Sequence, residues 1–329
     1  MHKAYYQGPK SDHFDGKKFF NPWEPRPNSF NKFIYWKMTS KAKPWPKIDY
    51  DQQFDIPPDR VNGSSLRISF VGHSTILIQT QGLNILTDPI WSDRASPFKN
   101  FGPTRYSKPG ILFENLPPID LVLISHNHYD HLDIETINSI CLRDDPRILT
   151  PLGNDSVIQN ENPSIPVETL DWHQKSQFNE GVYVNLVPSQ HWSGRHIFDK
   201  NKALWGAFVI TTPGGNLFFC GDSGYGNGDI FRQTYDKFGP FRFAMLPIGA
   251  YKPRWFMKYA HMDPQEAVFA HKDLGGPFTA AIHFKTFQLG DDGFNEPCIY
   301  LRESCEKHQI QPDKFRTLNI GEAWYIPEL

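Results

Sequence analysis

Four potential metal ligands fall within six residues of this chain: His126, His128, Asp130 and His131. They directly follow residues 121–124, a short apolar run that predicts a buried strand. A strand that ends in three imidazoles and a carboxylate concentrates in one loop the groups that bind zinc and similar ions. A single histidine is more often a core or surface residue, but a cluster at this spacing indicates a metal site.

Three further potential ligands lie later in the chain: His191, Asp222 and His283. Each stands at or just past the end of an apolar run that predicts a strand, and active-site residues commonly sit where strands end in loops. The total of seven ligands is too many for one tetrahedral zinc. It suits two metals that share a bridging carboxylate and leave room for water.

The pattern of the chain changes near residue 60. Residues 1–60 are rich in Pro, Lys and aromatic residues and show little periodicity, which predicts an irregular N-terminal arm with one short helix within residues 28–38. We expect this arm to pack on a core domain formed by residues 61–329. In that domain, strand–strand–helix blocks occur around residues 66–142 and 182–271. Two sheets packed face to face, with helices outside, would bury such blocks.

Apolar runs and the turn residues between them predict the individual elements. The predicted strands are residues 66–71, 75–79, 83–86, 121–124, 147–150, 167–170, 182–187, 204–210, 217–220, 243–246, 279–283 and 323–326. The predicted helices are residues 134–142, 264–271 and 296–308. Asp133 and Asp263 precede the first two helices, and both are residue types that favour the N-cap.

Charge and cysteine content disfavour several classes of protein. The net charge is −2, whereas binding to a phosphate backbone calls for a basic surface, so we expect no nucleic-acid binding. The four cysteines lack zinc-site spacing, and the first residues lack the apolar segment of a signal peptide, which favours a reduced, cytoplasmic setting. No run approaches the roughly 18 apolar residues of a membrane span.

The N-terminal arm is basic as well as aromatic. Residues 1–48 contain ten Lys and Arg but three Asp and Glu. One interpretation is structural, with the aromatic rings filling grooves on the core domain. The other is peripheral contact with a membrane, because basic and aromatic residues together favour anionic interfaces.

The seven potential ligands, in their order and spacing, resemble the metallo-β-lactamase superfamily. Further stretches resemble one branch of it, the N-acyl-phosphatidylethanolamine-hydrolysing phospholipases D, and this likeness runs from about residue 11 to about residue 287. Those stretches include Ser11-Asp12-His13-Phe14-Asp15-Gly16, Gly72-His73-Ser74-Thr75, Leu86-Thr87-Asp88-Pro89, Pro188-Ser189-Gln190-His191-Trp192-Ser193, Gly221-Asp222-Ser223-Gly224-Tyr225, Pro247-Ile248-Gly249-Ala250-Tyr251, Pro253-Arg254-Trp255-Phe256-Met257 and Ile282-His283. The short N-terminal part suggests a bacterial relative.

The resemblance implies a fold and a metal centre. The fold would be an α/β structure, the metallo-β-lactamase αββα sandwich, with the site at one edge and an irregular N-terminal arm. The centre would hold two zinc ions with a bridging hydroxide. The implied ligands are His126, His128 and His191 for one zinc, Asp130, His131 and His283 for the other, and Asp222 as the bridge.

The resemblance also implies a reaction. Hydroxide formed between two cations would attack the phosphorus of an N-acyl phosphatidylethanolamine, giving an N-acylethanolamine and phosphatidate. Asp130, Asp222 and His261 are the implied catalytic residues. His261 would contact the phosphate or donate a proton to the leaving alkoxide, but an exposed histidine before a helix cap is the alternative.

Six more residues are candidates for a supporting role. Asp88 could hold a ligand imidazole as a carboxylate behind the metal site, and His73 is a candidate for a similar role. Both could instead be ordinary turn residues. Four large aromatic residues are candidate walls for acyl chains, although such residues more often belong to a core: Trp192, Tyr251, Trp255 and Phe256.

Two rival functions remain open at this level. One is another hydrolase of the same superfamily, such as a lactonase for phosphorylated sugars, because the ligand set alone does not separate a P–O target from a C–O target. The other is a metal-binding or lipid-binding protein without turnover.

Overall fold

The computed structural model describes residues 5–23, 30–46, 52–98, 100–196 and 198–328. Within them the strands are β1 (Leu66–Gly72), β2 (Thr75–Thr80), β3 (Leu83–Thr87), β4 (Leu121–Leu123), β5 (Arg147–Pro151), β6 (Glu168–Leu170), β7 (Lys175–Asn179), β8 (Val182–Val187), β9 (Ala207–Thr211), β10 (Asn216–Phe219), β11 (Phe241–Pro247), β12 (Phe278–Ile282), β13 (Phe315–Arg316) and β14 (Ala323–Ile326). The helices are α1 (Phe30–Thr39), α2 (Ile134–Asp144), α3 (Asn154–Glu161), α4 (Asp229–Phe238), α5 (Arg254–Met257), α6 (Pro264–Asp273) and α7 (Glu296–Lys307).

The strands form two seven-stranded sheets, in the orders β14-β1-β2-β3-β4-β5-β6 and β13-β12-β11-β10-β9-β8-β7. In the first sheet β3, β4 and β5 are parallel, and β1 has the same direction because it is two antiparallel steps from β3. In the second sheet β10, β11 and β12 are parallel, and β8 has their direction by the same reasoning. The C-terminal ends of these strands therefore lie along one edge of each sheet.

Both faces of the central strands are covered. In β4, Leu121 and Leu123 belong to the core between the sheets, whereas Val122 belongs to an outer core with Ile137 and Ile140 of α2. Because side chains alternate between two buried faces, such strands appear in the sequence as continuous apolar runs. The predicted sandwich of two sheets with helices outside is confirmed.

Helix α6 begins as the sequence predicts. Asp263 Oδ1 accepts a hydrogen bond from the backbone N–H of Glu266 at 2.8 Å, and Glu266 Oε2 accepts one from the N–H of Asp263 at 3.2 Å. This reciprocal pair satisfies two backbone donors that the helix leaves unpaired at its start. Pro264 at the first helical position adds to the same signal, because its fixed φ suits the helix.

Asp133 occupies the predicted N-cap position of α2, but its side chain does not cap the helix. The side chain makes no hydrogen bond to the backbone of the first turn. Its Oδ2 atom instead accepts from Thr136 Oγ1 at 2.6 Å and from the N–H of Ser92 at 3.1 Å. The carboxylate therefore ties the helix start to a neighbouring loop.

Other elements differ from prediction. The predicted strand 204–210 begins only at Ala207, because the N–H of Leu204 bonds to Leu152 and that of Gly206 to Ser125, both at the edge of the other sheet. Helices α3 and α4 and strand β7 were not predicted. Helix α4 follows the glycines of residues 224–228 and buries few residues, so its apolar signal is weak.

The described part of the N-terminal arm packs on the core domain. Phe14 and Phe19 pair as an isolated β-bridge and are 1% exposed within the core between the sheets. Farther along, Trp36 Nε1 donates to Asp291 Oδ1 at 3.0 Å. The boundary at residue 60 stays a prediction, and residues 28 and 29 of the predicted short helix lie outside the described residues. Among the helices of the described ranges, none combines the length and the hydrophobicity of a membrane-spanning segment.

Candidate metal centre

The potential ligands of the first sheet meet at one edge because they follow strands of one direction. His73 follows β1, Asp88 follows β3, and the loop of residues 124–133 follows β4. In the second sheet, His191 follows β8, Asp222 follows β10 and His283 follows β12. Face-to-face packing brings the two edges together, so residues far apart in sequence converge on one buried cluster.

Three histidines form the first group of potential ligands. His128 Nδ1 lies 2.8 Å from His126 Nε2 and 3.2 Å from His191 Nε2. His126 and His191 are 1% exposed, and His128 is only partly exposed. Three imidazole nitrogens that converge in this way are a set of donors suited to one zinc ion.

Asp130, His131 and His283 form the second group. Asp130 Oδ2 lies 3.2 Å from His131 Nε2 and 3.3 Å from His283 Nε2. His131 is fully buried, and His283 and Asp130 are nearly so. This group therefore offers two imidazoles and a carboxylate in a space with little access to water.

Asp222 lies between the two groups. Its Oδ2 atom is 3.2 Å from His131 Nε2, 3.2 Å from His283 Nε2 and 3.7 Å from His191 Nε2. The side chain is buried at the end of β10. One carboxylate thus faces nitrogens from both groups, which is the geometry expected of a residue that bridges two ions.

Several atoms of the cluster have no hydrogen-bond partner among the described residues. They include His131 Nε2, His283 Nε2 and Asp222 Oδ1, all buried. A buried polar atom without a partner is costly, and native structures rarely keep one without a reason. Coordination to metal ions satisfies lone pairs of this kind, so the residues present fit a metal centre.

The tautomers of three imidazoles are set by acceptors behind the cluster. Asp88 Oδ2 lies 2.6 Å from His131 Nδ1 and accepts from Ser125 Oγ at 2.6 Å. Because the Ser125 hydroxyl donates to Asp88, its oxygen accepts from His126 Nδ1 at 2.9 Å. His191 Nδ1 donates to the backbone carbonyl of Ala260 at 2.9 Å. In each ring a protonated Nδ1 leaves the Nε2 lone pair for a metal.

His73 supports the second group. Its Nε2 atom lies 2.8 Å from Asp130 Oδ2, and its ring centroid is 4.1 Å from that of His283. The backbone of His73 also links the two sheets, because its carbonyl accepts a hydrogen bond from the N–H of His283 at 2.8 Å. His73 therefore contacts both Asp130 and His283 within the cluster.

Comparison with known proteins assigns this arrangement to a family. A profile described as the beta-lactamase superfamily domain matches residues 83–284, which include Asp88 and all seven potential ligands. The chain belongs to the metallo-β-lactamase superfamily. This profile, together with the relatives described next, makes the protein a metal-dependent hydrolase, and the two-sheet fold agrees with it.

Relatives with named activities align with most of this chain. It is 32% identical to N-acyl-phosphatidylethanolamine-hydrolyzing phospholipase D 1 of Caenorhabditis elegans, over 94% of this chain and 92% of that protein. It is 36% identical to the mitochondrial N-acyl-phosphatidylethanolamine-hydrolyzing phospholipase D of Saccharomyces cerevisiae, over 70% of this chain and 49% of that protein. Its fold resembles that of an isothiocyanate hydrolase from Delia radicum gut bacteria, with a TM-score of 0.62, 18% identity, and coverage of 79% and 99% of the two chains.

Burial keeps the first group of this metallo-β-lactamase centre neutral. Burial is the largest influence on His126, His128 and His191, and it lowers each pKa: to about 3 for His128 and His191, and well below the usual value for His126. A neutral imidazole is the form that binds a metal. The three rings are therefore ready to act as ligands near neutral pH.

The second group is electrostatically coupled. Burial would raise the pKa of Asp130 and Asp222, but neighbouring histidines hold both pKa values well below the usual range. Burial would lower the pKa of His283, but Asp222 and Asp130 raise it to about 9. Two anionic carboxylates thus attract positive charge into the site, which favours the binding of a metal cation.

His261 borders the cluster on the side of α5 and α6. Its Nδ1 atom is buried without a hydrogen-bond partner in the described residues and lies 3.7 Å from Asp222 Oδ2. Burial lowers the pKa of His261 to about 3, so its ring is neutral near pH 7. The structure thus brings His261 to the centre.

The four candidate aromatic walls fall in different places. Trp192 lies beside the cluster, with its ring 4.2 Å from that of His128. Tyr251 is 2% exposed within the core, Phe256 stacks on Trp36 at 5.0 Å, and Trp255 is half exposed. Among these four residues, Trp192 alone contacts a potential metal ligand in the ring contacts of the described residues.

A groove lies next to the loop of residues 124–133. Two adjoining cavities of about 530 and 610 Å³ share Phe98 and Arg195 among their lining residues. The Arg195 guanidinium lies 3.9 Å from the Tyr129 ring centroid, and Trp192 lines the larger cavity. Phe198 forms part of the same wall. This groove and its wall residues were not predicted from the sequence.

Two residues that contact the potential ligands were also not predicted from the sequence. Ser125 joins Asp88 to His126, and its position directly before the ligand motif was an available signal. Asn21 of the N-terminal arm donates to the backbone carbonyl of His191 at 3.0 Å. A single asparagine among aromatic residues gives no signal of such a contact.

Proposed function

We propose that this protein is a zinc-dependent phosphodiesterase that hydrolyses N-acyl phosphatidylethanolamine to an N-acylethanolamine and phosphatidate. The observation that carries the proposal is the position of Asp222, whose Oδ2 atom faces His131, His283 and His191 within 3.7 Å. Such a carboxylate suits a two-metal hydrolase. The substrate class is supported by the relative in Caenorhabditis elegans, whose name states that activity and which this chain matches over 94% of its length.

The residues would hold two zinc ions in two sets that share one carboxylate. The proposed ligands are His126, His128 and His191 for one ion, Asp130, His131 and His283 for the other, and Asp222 for both. When bound, two zinc ions supply a water of lowered pKa and a positive field that stabilises the charge developing on a phosphodiester.

Two histidine side chains beside the proposed ligands would assist this reaction. Asp130 keeps a fixed direction because His73 Nε2 lies 2.8 Å from its Oδ2 atom. The His261 ring lies beside Asp222, and its Nδ1 atom has no hydrogen-bond partner among the described residues. We assign His261 to contact with a phosphate oxygen, or to protonation of the leaving alkoxide, which are the two roles that its place beside the cluster allows.

The acyl chains would lie in the groove beside Tyr129. Its larger cavity of about 610 Å³ is lined by Phe98, Trp192 and Phe198, and Phe98 and Phe198 are mostly exposed. Apolar walls next to a polar site are what a phospholipid requires, because its phosphate and its chains must be held together. Tyr251, Trp255 and Phe256 remain candidates for more distant contacts with the chains.

We further propose peripheral contact with a membrane through α1. Ile34, Tyr35 and Met38 on this helix are 41%, 61% and 82% exposed. Exposed Lys41 and Lys43 follow the helix directly. Apolar side chains beside lysines favour an anionic lipid surface.

Product analysis tests the proposed reaction. Purified protein loaded with zinc is incubated with N-acyl phosphatidylethanolamine in detergent micelles, and lipids are separated and identified by mass spectrometry. We expect N-acylethanolamine and phosphatidate in equal amounts. Hydrolysis of a phosphorylated sugar lactone without phosphatidate would indicate the rival lactonase. Metal binding without turnover of either substrate would indicate a binding protein.

A further inference from the structure

The N-terminal arm reaches the metal centre through one buried side chain. Asn21 is 5% exposed, and its Nδ2 donates to the carbonyl of His191 at 3.0 Å and to Tyr259 Oη at 2.7 Å. Its Oδ1 atom accepts from Trp205 Nε1 at 3.2 Å. Both donors and one acceptor position of the amide are used, so its orientation is fixed.

These bonds join segments that lie far apart in the chain. Asn21 is separated from His191 by 170 residues and from Tyr259 by 238 residues. Tyr259 directly precedes Ala260, whose carbonyl accepts from His191 Nδ1. His191 is therefore held at two points, by Asn21 at its backbone carbonyl and by Ala260 at its ring.

His261 follows the segment of Tyr259 and Ala260 directly. Gln190 Nε2 donates to the carbonyl of Tyr259 at 3.0 Å, which gives a second link between the two segments. The rings of His191 and His261 lie 5.2 Å apart. A shift of Asn21 would change the position of His191 relative to His261.

The arm also holds the loop that follows His191. The N–H of Phe19 donates to the carbonyl of Asn201 at 2.8 Å, and Asn201 Nδ2 donates to the carbonyl of Phe19 at 3.1 Å. The N–H of Asn201 in turn donates to the carbonyl of Ser193 at 2.8 Å. Asn21 thus acts within a segment that is itself anchored beside the site.

We propose that Asn21 is a positioning residue of the metal centre, because its amide joins the backbone of His191 to Tyr259 and sets the distance between His191 and His261. The proposal rests on the proposed metal centre and assigns to the arm a role that no ligand motif shows. Groups behind metal ligands typically change metal affinity about 10- to 100-fold when they are removed.

Asn21→Asp tests the proposal with little change in shape. The new carboxylate places an acceptor opposite the His191 carbonyl, so that bond is lost. Asn84→Asp is the matched control, because Asn84 is also buried and its amide also makes three side-chain hydrogen bonds, to Asp59, Pro118 and Gln79. Asn84 stands near the start of β3, whereas Asp88 lies past its end, so the control is remote from the metal centre.

Three experiments are run on each protein: metal affinity by chelator competition, the visible spectrum of the cobalt-substituted form, and steady-state kinetics (kcat and KM) with a soluble phosphodiester. For Asn21→Asp we expect metal affinity about tenfold weaker, a changed cobalt spectrum and a lower kcat. Asn84→Asp should keep the parent's affinity and spectrum even where urea unfolding shows lower stability.

Parental affinity and spectrum in folded Asn21→Asp would overturn the proposal. So would an equal loss in Asn84→Asp, because the effect would then follow stability alone. If Asn21→Asp does not fold, Tyr259→Phe decides, since it removes one partner of the amide and keeps the other. It should lower kcat, and an unchanged kcat overturns the proposal. A parent protein that binds no metal would instead contradict the proposed function itself.

Discussion

Asp88 Oδ2 lies 2.6 Å from His131 Nδ1, and neither side chain is exposed to solvent. Asp88 also accepts two hydrogen bonds from Ser125, one from its N–H at 2.7 Å and one from its hydroxyl at 2.6 Å. Burial raises the pKa of Asp88, and these donors oppose that shift. Asp88 therefore determines which nitrogen of His131 is free for a metal.

Asp88→Asn should weaken metal binding. The backbone N–H of Ser125 requires an acceptor, so the new amide group must turn its NH₂ toward His131 Nδ1. That contact favours the tautomer with hydrogen on Nε2, which blocks coordination. We expect a loss of affinity of about 10- to 100-fold, measured by chelator competition. Unchanged affinity in a folded variant would contradict this role of Asp88.

His73 should control the second group of ligands. His73→Ala removes the contact with Asp130 Oδ2, so we expect the content of tightly bound metal to fall from two ions to one per chain. His73→Gln keeps a donor and should recover part of the loss. Elemental analysis after dialysis against a weak chelator measures both. Two ions retained in His73→Ala would show that Asp130 needs no such support.

The docking of the N-terminal arm should depend on pH through His13. Its Nδ1 lies 2.6 Å from Asp12 Oδ1 and its Nε2 lies 2.8 Å from Asp171 Oδ1. Burial lowers the pKa of His13, but the bonds to Asp171 and Asp12 outweigh it, so the pKa in the folded protein is above 6.5. Only the charged ring donates to both carboxylates.

A raised pKa in the folded state fixes the direction of the effect. The stabilisation from His13 is fully present below about pH 6.5, its value in an unfolded chain, and is lost as pH rises through the folded pKa. The difference in urea midpoint between the parent and His13→Asn should therefore be largest at acidic pH and shrink as pH rises. A difference that grows with pH would be the opposite of this prediction.

Contact of α1 with a membrane is testable without disturbing the arm. Deleting residues 1–48 would also remove Asn21, so surface substitutions are the better probe. Tyr35→Glu with Met38→Glu should weaken binding to anionic vesicles in a flotation assay, because it places charge on the exposed face. Hydrolysis of a soluble phosphodiester should stay at the parent's level.

The matched control for that test is Leu142→Glu, compared with the single α1 change Met38→Glu so that each variant adds one negative charge. Leu142 is 91% exposed on α2, so this change also adds a charge at an apolar surface position. It should leave vesicle binding unchanged. Equal losses in the control and the α1 variant would show that binding depends on overall charge and not on α1.

The sequence was sufficient to single out the side chains that form the buried cluster, because their signal is local. Their role as metal ligands stays a prediction. His126 to His131 lie within one loop, and His191, Asp222 and His283 each follow an apolar run. The direction of the strands then brings these ends together. The sandwich was also predictable, because its central strands are buried on both faces and appear as continuous apolar runs.

Contacts set by tertiary packing were not predictable. Asn21 reaches His191 and Tyr259 across 170 and 238 residues, and nothing in its neighbourhood marks those partners. Asp133 is of a residue type that favours the N-cap, but the N–H of Ser92 in a neighbouring loop uses its carboxylate together with Thr136 of the first helical turn. In both cases the deciding partner comes from a distant segment or a side chain whose position only the fold determines.

Metal content measured together with turnover tests the proposed sharing of Asp222 by two zinc ions. Zinc per chain is determined by elemental analysis for the parent and for Asp222→Asn, and hydrolysis of N-acyl phosphatidylethanolamine is followed in the same samples. We predict two ions per chain and release of phosphatidate by the parent, with fewer ions and no release by the variant. Full activity in Asp222→Asn, or an active parent that binds no more than one ion, would contradict a shared carboxylate between two metals.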